Sequence, residues 1–587
     1  MADTMEKITS HTSKRRLSTA TGHDSKPQAG DTELLARLGY KQELRRHYST
    51  VQIFAVAFSI MGLLPSIAST LAFSMPAGPV GWLAASCFIF LVSLAMADMA
   101  SAMPTAGGLY FWTHYFADEK WKNPLSFLVG YSNTIGLIGG ICSIDCEPFL
   151  NPTEAPSTQN PEPRTQNPRT NTTTLDGFAN MLLSVVSLGR DGEWSATRPI
   201  IYGTYVATVF AHGFIAIFFG RIMPKIQSAC IFLNIALVLA TVIALPIGKT
   251  KKNPPINPGS YVFGEVQNLT GWPTGWAFIM AWLSPIWTIG AFDSCVHMSE
   301  EATHAARAVP LGIISSTGLC GILGFVSLAV IASSMDTNIE GILNSKFGQP
   351  MAQIYYDALG KNGAMGFMVV VMIVQFFMGL SIVLAASRQS WAFSRDGALP
   401  FSTYFRKVSK RKYMLYQPVR MVCGVTVAAA TIGLLCLIDE AASNALFSLA
   451  VAGNDLAWLT PILARLIWGA DRFVPGEFYT GRYLSKPIGW VAVIYMMFAI
   501  ILSMIPTEGP GPSGKFNSFT GYELVVGAVA DWCALKAQNM NYTVVINGGL
   551  WAGALLYYYV YAKKTYKGPQ TTVSPEDEGM GLEKERI

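Results

Sequence analysis

The sequence predicts an all-α membrane protein with about twelve transmembrane helices, arranged as two inverted five-helix repeats in which helices 1 and 6 are broken. Three observations support this fold class. Hydrophobic residues make up 51% of the 587 residues and charged residues only 13%, which is too apolar for a soluble protein of this length. No charged residue lies between Tyr48 and Ala97, so this stretch holds two spans of about 20 residues each. Glycine and proline interrupt the first and sixth spans at similar depths.

The two ends of the chain are polar. Residues 1–48 are rich in Ser, Thr, Lys and Arg and contain no apolar core. This composition predicts a disordered cytoplasmic tail rather than a cleavable signal peptide, with a short amphipathic helix within residues 34–49. Residues 563–587 form a second predicted cytoplasmic tail. The first membrane helix must therefore supply the targeting signal.

The apolar segments between these tails are long enough to cross the hydrocarbon core of a bilayer. We assign helices 1–5 to residues 49–247, helices 6–10 to residues 248–467 and helices 11 and 12 to residues 486–562. The first two spans are separated by a Pro- and Gly-rich turn at residues 75–79. The ten spans that follow are residues 124–145, 199–219, 226–247, 274–294, 311–335, 364–387, 418–438, 443–467, 487–506 and 542–562.

Lys and Arg near the span ends predict the orientation, because cytoplasmic loops carry an excess of both. With the N-terminus inside, Arg45, Arg46 and the basic cluster within residues 388–412 lie in the cytoplasm. The loop at residues 336–363, with only two lysines, then lies outside. The lysines within residues 249–252 oppose this rule, but they are outnumbered.

Two segments do not fit this pattern. Residues 146–176 form a Pro-, Asn- and Thr-rich tract that can neither pack nor span a membrane. If this tract lies outside, Asn171 is a potential glycosylation acceptor. Residues 507–540 combine a Gly- and Pro-rich loop with an apolar patch that is too short to cross.

Composition and motifs argue against several function classes. The net charge of +5 is small, and no basic patch indicates a nucleic-acid partner. The nine cysteines form no CxxC pair and no Cys/His cluster, so we expect no metal. The chain also lacks a nucleophile-elbow, Walker or zinc signature, and we expect neither enzymatic activity nor a cofactor other than a possible coupling proton.

The paired breaks predict a transport site. Gly62 and Pro65 weaken the first span near its middle, and Pro285 and Gly290 do the same in the sixth. Backbone groups released by a break survive in a bilayer only where protein, water or solute satisfies them. A solute site between two inverted repeats follows, with half-helix N-termini for a carboxylate and unwound carbonyls for a cation. The alternative is that these residues serve helix packing alone.

Several polar residues near or within the spans are candidates for a gate or for coupling. Asp98 at the end of the second span either caps a helix or forms an inner gate with an arginine from a loop. Asp455 in the tenth span either has a direct functional role or faces a water-filled vestibule without moving a proton. Asn133 and Asn234 either line the cavity or bond between helices. Asp293 directly follows the break in the sixth span.

Five stretches carry a family resemblance. They are LGYKQELRRHYS, FSIMGLLPSIAST, MADMASAMPTAGGLYFW, FDSCVHMSEEATHAARAVP and SRQSWAFSRDGALP. Together they resemble the amino acid–polyamine–organocation superfamily, and within it the fungal permeases for amino acids, gamma-aminobutyrate and choline. The resemblance implies a twelve-helix transporter in the plasma membrane that works by alternating access and is usually driven by protons. The binding residues it implies are Ser59, Gly62, Leu63, Ser66, Trp287, Thr288, Gly290 and Asp293.

The sequence also departs from the superfamily pattern. Asp98 stands where many members carry Glu, and Asn234 lies in helix 5, where some proton-coupled relatives place a Lys. Relatives run from a sequence like GGICSID directly into one like GFANMLLSVVSL as a single third helix. We therefore hypothesise that residues 146–176, and similarly about 510–537, are retained introns or gene-model errors. Transcripts that span the junctions would then omit them.

These observations predict a secondary transporter that imports amino acids of the gamma-aminobutyrate type. The solute carboxylate would dock on the half-helix N-terminus near Gly62. The amine would meet carbonyl groups and Trp287 around Gly290. A choline or polyamine transporter is the nearest alternative, and a nutrient sensor without transport is the alternative from another class. The plasma membrane is the expected location, with the vacuole as the alternative, and the oligomeric state is left open.

Overall fold

The computed structural model describes residues 27–75, 77–146, 177–194, 196–252, 256–268, 270–410, 416–437, 440–505 and 543–573. Within these ranges the protein is built from helices, and the only β pairing is one isolated parallel bridge between Tyr48 and Ala302. The predicted all-α membrane fold is therefore confirmed. The predicted glycosylation acceptor Asn171 and the segment 507–540 lie outside the described residues.

The N-terminal half contains ten helices in its described part. They are α1 (Pro27–Arg37), α2 (Thr50–Met61), α3 (Leu63–Ser69), α4 (Leu71–Ser74), α5 (Gly78–Ala102), α6 (Gly108–Phe116), α7 (Lys122–Cys146), α8 (Phe178–Gly189), α9 (Arg198–Phe218) and α10 (Met223–Thr250).

The C-terminal half contains twelve more α-helices in its described part. They are α11 (Gly259–Gly264), α12 (Thr274–Met280), α13 (Leu283–Thr288), α14 (Ser294–His297), α15 (Ala305–Ser334), α16 (Ile339–Leu343), α17 (Pro350–Arg395), α18 (Ser402–Phe405), α19 (Val419–Ile432), α20 (Glu440–Ile467), α21 (Ser485–Ser503) and α22 (Thr543–Val560). Short 3₁₀ turns occupy Ser299–Glu301, Gly433–Leu437 and Ala562–Lys564.

Every one of the twelve predicted spans coincides with helical segments of the structure. Among the described residues, eight helical stretches are long and apolar enough by themselves to cross a membrane, counting the broken stretch Thr50–Ser69 as one. The shorter apolar helices include Phe178–Gly189, Val419–Leu435 and Val544–Val560. The broken α12–α14 segment and α20 supply the remaining spans.

The first and third spans form the centre of the molecule. In the most apolar stretch of Thr50–Ser69, and in that of Lys122–Asp145, 83% of the residues are buried. The corresponding share in Met223–Thr250 is 33%. The α10 helix instead presents large apolar side chains outward, with Phe232 being 76% exposed. Helix α5 packs along α15, and α7 packs along α20. The broken first span is therefore enclosed by other helices, where released backbone groups can be satisfied by protein.

Helix α17 is much longer than the predicted span at 364–387. Gly360 has φ 76° and ψ 178° and joins two helical stretches at a kink. Only glycine adopts this backbone conformation without strain. The stretch before the kink begins at Pro350, where Gln349 accepts a hydrogen bond from the Ala352 amide as an N-cap. The hydropathy pattern located the membrane part of α17 but not this extension.

Residues 27–48 are ordered, and their helix lies at Pro27–Arg37 rather than within residues 34–49. After α1, the chain pairs with the segment that follows the sixth span: the His47 and Tyr48 amides donate to the Glu301 carbonyl at 2.9 and 3.1 Å. Leu35, Tyr40 and Leu44 are each buried to 2% exposure or less. Burial of these apolar side chains, which alternate with charged ones, outweighs the polar composition.

The predicted C-terminal tail is also ordered as far as residue 573. Tyr566 is buried, and its hydroxyl lies 3.0 Å from that of Ser126 in α7. The Thr572 amide donates to the Gly39 carbonyl at 2.8 Å, which joins the two ends of the chain. Residues 1–26 and 574–587 lie outside the described residues.

The helices on either side of the predicted insert both pack against α17. Helix α7 ends at Cys146, and α8 begins at Phe178. The ring of Phe178 lies 5.6 Å from that of Phe376 in α17. The tract between them, residues 147–176, lies outside the described residues.

Candidate functional site

The break in the first span occurs at Gly62. Helix α2 ends at Met61, Gly62 adopts the left-handed conformation with φ 39° and ψ 64°, and α3 begins at Leu63. The Ser66 hydroxyl donates to the carbonyl of Met61 at 2.7 Å. Pro65 falls in the first turn of α3, where its missing N–H costs no helical hydrogen bond. The sequence thus produces the predicted interruption, with one released carbonyl already satisfied.

The break in the sixth span is wider. Helix α13 ends at Thr288, and α14 does not begin until Ser294. The Gly290 amide donates to the Trp287 carbonyl at 3.2 Å in a tight turn. A Cβ atom at Gly290 would lie 2.9 Å from the Ile286 carbonyl oxygen, so a side chain here would push against the backbone. Glycine allows this close approach.

A cavity of about 50 Å³ lies beside the break in the sixth span. Sites that enclose a small molecule usually measure about 300–1,000 Å³, so this cavity must widen to admit a solute. The residues around it come from the first, third, sixth, eighth and tenth spans. Its lining includes Ile60, Ile144, Trp287, Thr288, Gly290, Met378, Asp455 and Trp458.

Some of the predicted binding residues line the cavity, and others do not. Trp287, Thr288 and Gly290 line the cavity, as does Ile60 of the first span. Ser59 faces away from it, since its hydroxyl lies beside the Cys230 thiol of α10. A helix turns about 100° per residue, and the sequence alone did not reveal which side of α2 faces inward.

Met378 of α17 covers the break in the first span. A Cβ atom at Gly62 would lie 2.7 Å from the Met378 sulfur. The Ser66 hydroxyl points at the same sulfur from 3.8 Å, and Leu63 is fully buried beside them. Because Met378 also lines the cavity, this flexible side chain separates Gly62, Leu63 and Ser66 from the cavity space.

Asp293 lies at the centre of a polar cluster that joins three spans. The Asn133 side-chain amide of α7 donates to the Asp293 carboxylate at 3.0 Å and to the Asn454 side-chain oxygen at 3.1 Å. The imidazole Nε2 of His297 lies 3.3 Å from the same carboxylate. Asn133 therefore bonds between helices, and Asp293 fixes the end of the break in the sixth span.

Asp455 of α20 is the carboxylate that borders the cavity. It is 3% exposed, and its Oδ2 atom has no hydrogen-bond partner among the described residues. The Thr288 hydroxyl and the Trp458 indole nitrogen, which also border the cavity, likewise lack a partner within the described part of the chain. Buried polar atoms are rarely left unpaired, so three of them around one cavity indicate a place for a polar solute or water.

The other two predicted candidates lie away from the cavity. Asp98 accepts hydrogen bonds from the Thr480 amide and hydroxyl, both at 2.8 Å, and from the Ser485 hydroxyl at 2.6 Å. Arg465 at the end of α20 lies 3.5 Å from it. Asn234 donates to the Cys230 carbonyl one turn earlier in its own helix. Asp98 thus binds α5 to the segment that connects α20 and α21.

Two buried ion pairs join the turn after the sixth span to the C-terminal end of the eighth span, and the sequence did not predict them. Arg395 forms a bidentate pair with Glu300, both bonds being 3.0 Å. Arg388 donates to Glu301 at 2.7 Å, and all four side chains are at most 3% exposed. The sequence did contain a signal for these pairs. Two acids are adjacent, and the two arginines are seven residues apart, which places them on one face of a helix, two turns from each other.

The segment before α2 makes further hydrogen bonds beside these ion pairs. The Asp31 carboxylate accepts from the backbone amides of His304 and Ala305 at 2.7 and 2.9 Å, which caps the start of α15. The Tyr40 and Tyr110 hydroxyls donate to Asp396 at 2.9 and 2.7 Å. Burial raises the pKa of Asp396, while the nearby Arg395 charge opposes that rise.

Comparison with known proteins identifies the family. A sequence model described as amino acid permease matches residues 48–149 and 166–529. The GABA-specific permease of Saccharomyces cerevisiae is 41% identical over 559 residues, which cover 94% of this chain and 88% of that protein. This chain belongs to the amino acid permease family.

Two further relatives of this permease show the breadth of the similarity. An uncharacterised amino-acid permease of Schizosaccharomyces pombe is 31% identical, over 94% of this chain and 91% of that protein. A putative polyamine transporter of Candida albicans is 28% identical, over 93% of this chain and 90% of that protein. The match to the family model is interrupted between residues 149 and 166, inside the first predicted insert, and continues to residue 529 within the second anomalous segment.

Family membership confirms the resemblance drawn from the sequence motifs. The protein is an amino acid permease, a multi-pass membrane transporter for small amino-acid substrates. The family architecture of about twelve membrane helices agrees with the twelve predicted spans.

Proposed function

We propose that this permease imports amino acids of the gamma-aminobutyrate type across the plasma membrane by alternating access, coupled to protons. The 41% identity to the GABA-specific permease of Saccharomyces cerevisiae supports this substrate class. The observation that carries the proposal is the buried Oδ2 atom of Asp455, which has no hydrogen-bond partner among the described residues and lies beside the break in the sixth span.

In this proposal Asp455 receives the ammonium group of the solute. A buried carboxylate without a cation nearby is costly, and an ammonium ion at hydrogen-bond distance offsets that cost. Trp287 and Trp458 border the same cavity, and the face of an indole ring attracts an ammonium ion. The unpaired Thr288 hydroxyl is a third group able to bond a polar solute. This extends the sequence-based proposal, in which carbonyl groups and Trp287 alone met the amine.

The solute carboxylate is proposed to dock at the break in the first span. Amide groups that follow Gly62 begin a new helical stretch, and such groups favour a negative charge. Met378 must swing away first, because its sulfur occupies the approach to Gly62. Methionine is unbranched and has three rotatable bonds, so this movement requires no change in the backbone. The same movement would widen the small cavity.

We further propose that protons supply the energy to concentrate the solute. Carboxylate and histidine side chains buried within the spans are the groups able to carry a proton across the bilayer. The permease buries several of them, among them Asp145, His212, Asp293 and Asp455.

A choline or polyamine transporter remains the second candidate. One relative, at 28% identity, is a putative polyamine transporter of Candida albicans. The carboxylate and the two indole rings at the cavity would also suit a solute that carries only cationic groups. Such a solute would make no use of the amides at Gly62.

Uptake into yeast cells that lack their own amino acid permeases tests the proposal. Cells that express this protein should accumulate labelled gamma-aminobutyrate, and an excess of unlabelled gamma-aminobutyrate should reduce that uptake more than choline or spermidine does. Accumulation of choline or spermidine in place of gamma-aminobutyrate would favour the second candidate. Saturable binding without accumulation of any of these solutes would favour a nutrient sensor and contradict the proposal.

A further inference from the structure

A buried pair of ionisable side chains joins the third and fourth spans. His212 Nδ1 of α9 lies 3.3 Å from Asp145 Oδ2 of α7, and both side chains are 0% exposed. Neither has a further hydrogen-bond partner among the described residues. Two titratable groups thus have only each other in the interior of a membrane protein, and such residues mark proton or ion pathways.

The eighth span leaves room for this pair. A Cβ atom at Gly379 of α17 would lie 2.6 Å from Asp145 Oδ1 and 2.5 Å from His212 Cε1. The carboxylate and the imidazole therefore occupy the space that a side chain at residue 379 would need. The ring of Phe376, one turn away, lies 4.4 Å from the imidazole ring. Phe178 of α8 packs against Phe376 in turn.

The pair lies directly behind the wall of the cavity. Ile144 and Met378 line the cavity, and they are the chain neighbours of Asp145 and Gly379. Met378 also covers Gly62 at the break in the first span. A change in the charge of the pair therefore acts on Gly379, and through the adjacent Met378 on the route between cavity and break.

We propose that Asp145 and His212 together form the site that binds the coupling proton of this permease. The proposal rests on the proton-coupled import proposed above. Without the proton the pair is a buried carboxylate beside a neutral imidazole, with a net charge of −1. One proton from the outer solution, placed on either His212 or Asp145, makes the pair neutral overall and removes the cost of an uncompensated buried charge. The same proton leaves to the cytoplasm after the transporter opens inward, so one proton crosses in each cycle.

The side chains packed around this pair carry no further charge in the part of the chain that the structure describes. Cys142 of α7 and Tyr205 of α9 are the other titratable side chains nearby, and the Tyr205 hydroxyl lies 3.2 Å from the Cys142 sulfur. Helix α17 contributes the neutral Gln375, which donates to the Ile144 carbonyl at 2.8 Å. Helix α19 contributes the Ala429 carbonyl, which accepts from Tyr205 at 2.7 Å. No charge other than that of His212 acts on Asp145 from the described residues.

The test uses full-length protein in liposomes with labelled gamma-aminobutyrate as the probe. Two readouts are compared: accumulation driven by an inward proton gradient, and exchange between solute pools without a gradient. A gradient of about one pH unit supports about tenfold accumulation when one proton accompanies each solute. Asp145→Asn and His212→Gln should lower the accumulation ratio to about one, a loss of about tenfold, whereas exchange remains measurable.

Asp145→Glu keeps a carboxyl group and should retain accumulation, with the pH of half-maximal uptake shifted. Asp191→Asn, the same chemical change at a carboxylate that is 63% exposed, should match the wild-type protein in both readouts. Wild-type accumulation by Asp145→Asn or by His212→Gln would overturn the proposal. Parallel losses of accumulation and exchange in Asn, Gln and Glu variants alike would show a structural pair and overturn it too. Absence of exchange in the wild-type protein would instead contradict the proposed function itself.

Discussion

At the scale of single residues, Gly62 decides where the first span breaks. Its φ of 39° lies in the left-handed region, which costs an L-residue with a side chain about 1–2 kcal/mol. It also leaves the space that the Met378 sulfur now fills. The same residue therefore sets the backbone turn and accommodates the side chain that covers it.

Replacement of Gly62 by alanine should lower uptake of labelled gamma-aminobutyrate by roughly tenfold, because about 1.4 kcal/mol of backbone strain corresponds to that factor. The added methyl group would also force Met378 from its place. Gly366→Ala in α17 is a matched control, since a Cβ atom there meets nothing within 4 Å. Uptake by Gly62→Ala equal to that of the control would contradict a role for this turn.

At the scale of secondary-structure elements, two side-chain ion pairs hold the turn after the sixth span against the C-terminal end of α17. The 3₁₀ turn Ser299–Glu301 carries both acids, and α17 carries both arginines. The Arg395 guanidinium also lies 4.0 Å from the ring centre of Tyr40, so the segment before the first span joins the same cluster. These contacts hold the turn after the sixth span, the end of α17 and the segment before the first span together.

Replacement of Arg395 by glutamine should lower stability by about 3–5 kcal/mol, because it leaves the buried Glu300 without a cation. The double variant Glu300→Gln with Arg395→Gln should recover part of this loss, since no buried charge then stays unpaired. Arg37→Gln removes a pair whose side chains are 49% and 59% exposed. As the control, this substitution should lower the free energy of unfolding by about 0–1 kcal/mol. Denaturant unfolding in detergent measures all three, and a loss in Arg395→Gln no larger than in the control would contradict the interpretation.

At the scale of the whole molecule, the sequence predicted the framework well. Hydropathy located all twelve spans, because an apolar run of about 20 residues is itself the requirement for crossing a bilayer. Gly62 and Gly290 indicated the breaks: Gly62 has a left-handed backbone conformation, and at Gly290 a side chain would press against the Ile286 carbonyl oxygen. Trp287, Thr288 and Gly290, which the sequence predicts to bind substrate, line the cavity. Ser59 lies beside Cys230 instead, because helical rotation depends on the packing of neighbouring helices.

Contacts between distant segments could not be predicted in the same way. The pairing of Asp145 with His212 joins residues 67 positions apart on different spans, and no local pattern records it. Met378 is one of many methionines, and only the fold brings it over Gly62. Residues 27–48 are ordered by contacts with a surface that exists only after the helices assemble. Composition alone therefore predicted disorder there.

The most direct test of the account is solute affinity in the Asp455→Asn variant, measured with labelled gamma-aminobutyrate on purified protein in liposomes. Removal of one member of a buried charge pair costs about 2 kcal/mol or more, so affinity should fall by about 30-fold or more. Asp191→Asn at an exposed carboxylate serves as the control and should leave affinity unchanged. Equal affinity in the two variants would contradict the claim that the cavity beside the broken sixth span holds the solute amine.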